Sequence, residues 1–269
     1  MDVINAIILG AVQGLTEFLP VSSSGHLVLV SHLLHQDLEG EAGTAMSVLL
    51  HLGSLLAILI VFRADIVRLF LPRLDLRKLG LLFWASLPAA IVGIGIKKGL
   101  PEASSAWVEG HVLQSPWVAA CGLLVTATVL WLAERPRELR VTLQDAKGRD
   151  FWLVGVIGLA QAIAILPGVS RSGSTICVAL MLHWVRNDAV RLSFLMGMIA
   201  IGGAGLLEAR HITQFEAAPA ISGFASSLVF SLIGLTTLKL VVGRQKLRWF
   251  AAYCAVVGVV ALVWLFAIA

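Results

Sequence analysis

The stretch Gln13-Gly-Leu-Thr-Glu17-Phe-Leu-Pro20-Val-Ser22-Ser23-Ser24-Gly25-His26 lies in apolar sequence, yet it carries a carboxylate, an imidazole and three serines. A second stretch, Gln161-Ala-Ile-Ala-Ile-Leu-Pro167-Gly168-Val-Ser170-Arg171-Ser172-Gly173-Ser174-Thr175, has the same layout. Laid at Ser24-Gly25 on Ser172-Gly173, the two superpose without a gap at an offset of 148 residues. Asp2, Gly10, Gln13, Val21, Ser22, Ser24 and Gly25 then fall on Asp150, Gly158, Gln161, Val169, Ser170, Ser172 and Gly173. The copies differ in charge. One has Glu17 and His26, the other Arg171, and the pair reads as the functional site.

The surrounding composition sets the solvent. Of 269 residues, 58% are hydrophobic and 13% charged, with a mean hydropathy of +0.92. A soluble domain of this size carries about 25% charged residues. The shortfall and repeated apolar runs of about 18 or more residues indicate a polytopic helical membrane protein. No strand-like alternation recurs, so an outer-membrane barrel is not expected. The start, Met-Asp-Val-Ile-Asn, has no basic n-region, and no removable signal peptide is read there. Cys121, Cys177 and Cys254 stand singly and read as packing residues. The net charge of +4 reflects membrane topology, and no nucleic-acid partner is expected.

Residues 3–19 and 24–35 are two apolar pieces, each shorter than the roughly 20 residues that span a bilayer. Pro20 and Gly25 break the helix between them, and the serines satisfy the freed backbone groups. Such a break at membrane depth is viable only under protein or in a water-filled cavity. The reading is a re-entrant helical hairpin. Spans follow at 46–63, 79–97 and 115–133. The order repeats as a second hairpin at 151–184 and spans at about 190–208, 217–243 and 248–268. The expected fold is therefore all-α and polytopic, a single integral membrane domain of two repeats, 1–140 and 141–269. Each repeat is a re-entrant hairpin plus three transmembrane helices, and the odd number of crossings inverts the second.

The basic residues test that topology. One face receives sixteen of the twenty Lys and Arg residues, from Arg63 to Arg248, and the other only Lys97, Lys98 and Arg210. Arg171 stays within the membrane. The positive-inside rule makes the first face cytoplasmic. Both termini and the acidic loop Asp37-Leu-Glu39-Gly-Glu41 are then external, and the hairpin tips meet near the midplane.

An ionisable group at that depth costs several kcal/mol and is functional by default. Glu17 and Gln13 stand one helical turn apart on one face, and their oxygens suit a hard divalent cation such as Mg²⁺ or Ca²⁺. A buried Glu paired to a neighbouring helix is the plainer alternative. His26 can serve as general acid, base or nucleophile, or be structural. Arg171 offers bidentate donors suited to phosphate oxygens, or an ion pair with Glu17. The Ser- and Gly-rich turns run into helix starts, where free N–H groups and the dipole favour an anion. Ser22, Ser23, Ser170, Ser172, Ser174 and Thr175 add hydroxyls, any of which alone reads equally as a cap. Together the set reads as phosphate plus metal plus a proton-transfer residue. His51 reads as a polar packing contact, as do Gly202-Gly-Ala-Gly205 and the small residues of 251–258 as close helix packing. Six tryptophans, Trp84, Trp107, Trp117, Trp152, Trp249 and Trp264, read as interfacial anchors, and Glu208 as a span boundary.

At Glu17 and Arg171 the chain closely resembles the bacterial undecaprenyl-pyrophosphate phosphatase family, the bacitracin-resistance type. The likeness runs from residue 5 to beyond 240 and rests on Gln13–His26 and Leu166–Thr175. It implies metal-dependent removal of the terminal phosphate of a C55 polyprenyl pyrophosphate. The product is the monophosphate carrier of cell-wall precursors. It further implies a bacterial cytoplasmic membrane location with an external active site. By position, Gln13 and Glu17 match the family's metal motif, His26 its catalytic histidine and Arg171 its phosphate-binding arginine. Ser22 and Ser23, with Ser170 and Thr175, match its hydroxyls. Ser23 is then catalytic, and Ser24, Gly25, Ser172, Gly173 and Ser174 join the phosphate-binding set. Many members have Glu where this chain has Gln13, which leaves the pyrophosphate to supply much of the metal's coordination. The nucleophile, His26, a serine or water, stays open. So do a homodimer and the rival reading, a secondary transporter or flippase for an anion or the lipid carrier, since inverted repeats are common in transporters.

Overall fold

The computed structural model of the chain describes residues 1–36, 40–71, 74–135, 138–146, 148–208, 216–243 and 247–268. Loop residues Asp37–Glu39, and basic residues Arg73, Arg137, Lys147, Arg210, Arg244 and Lys246 of the topology count, lie outside them.

Both hairpins form. Helix α1 (Val3–Phe18) starts at Asp2, whose carboxylate accepts the Asn5 N–H, and stops before Pro20, which cannot continue it. After the turn, α2 covers Ser23–Leu33. The second copy gives α8 (Arg149–Ile163) and α9 (Arg171–Met181). At 1.5 Å per residue, the 16 residues of α1 reach about 24 Å, short of the roughly 30 Å hydrocarbon core.

Among the described residues, six helices between and after the hairpins are long and apolar enough to cross a membrane. They are α3 (Gly40–Val61), α5 (Leu76–Ile94), α7 (Pro116–Ala133), α10 (Arg186–Glu208), α11 (Ala217–Gly243) and α12 (Leu247–Ile268). The chain is an all-α polytopic membrane protein. Two short helices, α4 (Arg63–Phe70) and α6 (Glu102–Val108), and π-helical turns at Gly95–Gly99 and Glu109–Leu113 were not expected from the sequence. The charges of α4 hide its single apolar face, which buries only Leu69.

The hairpins do not pack on their own repeats alone. Helix α1 lies along α11, and α8 lies along α5. Both seams need glycine. A Cβ on Gly10 would stand 2.5 Å from Gly223 O, and one on Gly158 would stand 2.3 Å from Ala85 O. Without a hydrophobic drive between helices in lipid, such backbone approach and interhelical hydroxyl bonds hold the bundle. Ser226 Oγ donates to Ile7 O at 2.8 Å, and Ser231, Ser54 and Ser227 form a hydroxyl chain between α11 and α3. Helices α7 and α12 pair, and α10 touches both α3 and α9. Gly258 fits the expected packing role, facing Leu124 and Ala120 O. In the Gly202–Gly205 stretch, Gly202 and Gly205 meet Leu55 and Leu52 of α3 as expected, whereas Gly203 faces open space and Ala204 and Gly205 also line a cavity. Cys177 and Cys254 are buried, whereas Cys121 is exposed.

Candidate active site

The two hairpin turns touch. A Cβ on Gly25 would come within 2.7 Å of Gly168 Cα, and one on Gly173 within 3.3 Å of Pro20 Cβ. Each turn is also held by a span. At the second, Thr126 Oγ1 of α7 donates to Gly168 O at 2.7 Å and accepts the Ser170 N–H at 2.8 Å. Gly168, at φ 84°, has Ala119 O where a side chain would go, so only glycine can turn there. At the first, Pro20 O faces Cys254 Sγ of α12 at 3.9 Å.

At this junction the carboxylate of Glu17 collects groups from both turns. Arg171 Nη2 donates to Oε1 at 2.6 Å. Ser23 Oγ donates to Oε2 at 2.5 Å, and Gln13 Nε2 donates to Oε2 at 2.9 Å. Glu17 is 7% exposed and Gln13 fully buried. The Glu17–Arg171 pair thus joins residues 154 apart in sequence. Removing either partner would strand a buried charge.

Helix α10 fixes the arginine. Its guanidinium also donates to Ser193 O at 3.3 Å, and Nη1 lies 1.8 Å from where a Cβ of Gly197 would stand. The missing side chain at Gly197 is the space the guanidinium fills. Thr175 is fully buried, and its hydroxyl bonds Ser193 Oγ at 2.7 Å and Arg171 O at 2.8 Å. Ser22 Oγ accepts the Gly25 N–H and Ser170 Oγ the Gly173 N–H; the two serines cap α2 and α9. Ser24 Oγ faces Ser22 Oγ, Ser172 Oγ donates to Leu19 O, and Ser174 is buried on α9.

His26 is not bonded to this carboxylate. Its Nδ1 meets Ser22 O at 2.7 Å and its Nε2 meets the Tyr253 hydroxyl of α12 at 2.8 Å. A carbonyl only accepts, so Nδ1 carries the proton and, in the neutral ring, Nε2 accepts from the phenol. His51 makes a polar contact between helices, as expected, and makes it with the site carboxylate. Its Nδ1 bonds Ser47 O at 2.7 Å, and its Nε2 stands 4.0 Å from Glu17 Oε2.

Beside the junction opens a cavity of about 570 Å³. Ser24, Ser31, His32, His35, Thr44, Ser47, His51, Lys97 and Glu109 supply its polar lining, and Leu27, Val28, Val48 and Ile201 its apolar part. Among the described residues, no three His, Cys, Asp or Glu side chains form a metal cluster. At the junction Glu17 and Gln13 carry oxygens that suit a hard cation, and Gln13 Oε1 is buried with no partner.

Sequence reasoning missed Tyr253, Gly197, Ser193 and Thr126. Tyr253 carried one signal, as the sole tyrosine in the chain, set in an apolar span. Comparison with known proteins extends the geometry. The profile of the family described as bacitracin resistance protein BacA matches residues 6–260. The chain is 40% identical to the undecaprenyl-diphosphatase of Desulfosudis oleivorans, over 97% of this chain and 98% of that one. It is 38% identical to that of Geobacter sulfurreducens, over 99% and 100%. It is also 35% identical to that of Methanosphaera stadtmanae, over 98% of each.

Proposed function

The chain belongs to the bacitracin resistance protein BacA family, and on that premise we propose that it hydrolyses undecaprenyl pyrophosphate to undecaprenyl phosphate and inorganic phosphate. The reaction recycles the lipid carrier for peptidoglycan synthesis. One observation carries the reading: the Glu17 carboxylate bonds Ser23 Oγ of one turn and Arg171 of the other. A hydroxyl on a carboxylate is a nucleophile with its base. A guanidinium beside it, with N–H donors left over, is the group that neutralises a phosphoryl transition state.

In this mechanism Arg171 and the N-termini of α2 and α9 orient the pyrophosphate. Ser23 Oγ gives its proton to Glu17 and bonds the terminal phosphorus. The bridging P–O bond breaks, and the lipid monophosphate leaves. Water then cleaves the phosphoserine and releases phosphate. His26, with Nδ1 held by Ser22 and Nε2 by Tyr253, exchanges protons with the leaving or attacking oxygen. Glu17 and the unpartnered Gln13 Oε1 fit a divalent cation, Mg²⁺ or Ca²⁺. When bound, it would supply charge neutralisation on the pyrophosphate.

The prenyl chain lies against the apolar spans. The protein sits in the cytoplasmic membrane with termini and site opening outward, as the basic residues favour. The reciprocal packing of α1 on α11 and α8 on α5 supports the inverted repeat. The test is phosphate release from polyprenyl pyrophosphate by purified protein in detergent, with Mg²⁺, with Ca²⁺ and with chelator. Metal-dependent release, lost in Ser23→Ala, sustains the reading. No release from folded, substrate-binding protein would favour a transporter or flippase.

A further inference from the structure

We propose that His51 is a nitrogen ligand of the divalent cation, completing a site with Glu17 and Gln13 and shifting its preference toward a first-row ion such as Mn²⁺. The inference rests on the cation of the proposed function, but on none of its covalent steps.

Three observations meet at this point. The Ser47 carbonyl takes the Nδ1 proton of His51, so the lone pair of the neutral ring sits on Nε2. That lone pair faces Glu17 Oε2, itself an acceptor, at 4.0 Å. The separation is too long for a hydrogen bond and near the roughly 3 to 4 Å spanned by two donors about 2.1 Å from one ion. Gln13 Oε1 is buried without a partner, on the same amide whose nitrogen contacts Oε2. An imidazole nitrogen and a carboxylate oxygen 4.0 Å apart, with an orphaned amide oxygen on the residue that touches that carboxylate, favour a cation there. His51 also lines the cavity, so an ion arriving with pyrophosphate reaches it.

The imidazole is oriented as metal-bound imidazoles are, with its second nitrogen donating to a backbone carbonyl. Nitrogen beside carboxylate and amide oxygen suits Mn²⁺ or Zn²⁺ better than Ca²⁺, which takes oxygen alone. Arg171 is the other charged group at Glu17 and bonds Oε1, while Oε2 accepts from Ser23 Oγ and Gln13 Nε2, so a cation between His51 and Oε2 takes the place of one of these two donors. The plain competitor is a protonated His51 paired with Glu17. A cation in place of the ring separates the two, because lysine keeps the charge and cannot ligate.

The experiment is Mn²⁺ binding to the full-length protein in detergent, read by loss of the free-ion paramagnetic resonance signal. It is run with and without methylene diphosphonate as a non-hydrolysable pyrophosphate. Wild type is expected to bind one Mn²⁺. His51→Ala and His51→Lys should both weaken it at least about tenfold, with less change for Ca²⁺ measured by competition. Unchanged Mn²⁺ affinity in His51→Ala, full affinity in His51→Lys, or no Mn²⁺ binding by wild type in either condition overturns the proposal. Monodisperse elution and an unchanged melting temperature show that the variants fold. Mn²⁺ binding without phosphate release would refute the phosphatase and leave this site standing; release with unaltered binding in His51→Ala would do the reverse.

Discussion

At the first turn Ser22 Oγ caps α2 through the Gly25 N–H and lies 3.3 Å from Ser24 Oγ; at the second, Ser170 Oγ caps α9 through the Gly173 N–H and lies 3.4 Å from Ser172 Oγ. The two caps match bond for bond. What they present does not. The position that is Ser23 in one is Arg171 in the other, and both side chains converge on Glu17. The backbone differs too. Ser22 is held at φ 70°, whereas Ser170 is at −68° and the second turn takes its positive φ at Gly168. A non-glycine residue there costs about 1–2 kcal/mol. The strained turn carries the hydroxyl, and the relaxed turn carries the charge. The two caps are alike, and the aligned pair Ser23 and Arg171 sets a hydroxyl and a guanidinium on the same carboxylate.

If the second turn contributes charge and the first chemistry, Arg171→Ala should lower kcat/KM about 10³-fold. Ser23→Ala should lower kcat and leave substrate affinity in place. Equal losses of affinity in both would erase the division between the turns; a titration with substrate under single-turnover conditions decides. A smaller loss, about 10²-fold, is expected for Gly197→Ala, because the new methyl occupies the guanidinium's place. Combined with Arg171→Ala it should add nothing further, and an additive double variant would break the link. Tyr253→Phe sharpens the first turn alone. Losing one hydrogen bond to His26 should cost about tenfold in kcat, with KM unchanged and the pH profile displaced.

The smallest effect lies away from both turns and serves as their control. Asp75 caps α5, where the Lys78 N–H and ammonium hold its carboxyl below the usual carboxylate range. A depressed folded pKa means the contribution is present above the unfolded value and lost as pH falls through the folded one. Asp75→Asn keeps the cap and removes only the charge, so it should lower the melting temperature by about 1 °C at most at pH 7, and by nothing once the pH falls well below about 4. Activity at the turns should not change.

The hairpins and all six spans were legible because length, Pro20, Pro167 and the serine runs are local signals. Gln13, Glu17 and Arg171 were legible because polar groups inside apolar runs stand out. The neighbours that hold them were not. Gly197 looks like any glycine in a span until the guanidinium of α9 is seen beside it. Tyr253 meets His26 across 227 residues, and nothing in either local sequence announces the pairing. His51 was read as a polar packing contact, but that its partner is Glu17, on another helix, was not legible. Tertiary partners of a polar residue leave no periodicity to read.

The ion pair of Glu17 with Arg171 also imposes an order on biogenesis. Ribosomes add about 5–20 residues per second, so the carboxylate waits roughly 10–30 s for a guanidinium encoded 154 residues later. During that interval the first hairpin has neither its counter-charge nor the α11 seam. A half-made chain therefore holds an unpaired acid in or beside the bilayer. Protonation of Glu17 removes that charge until the second hairpin arrives, and a chain truncated before residue 171 should be less stable in the membrane than the full chain.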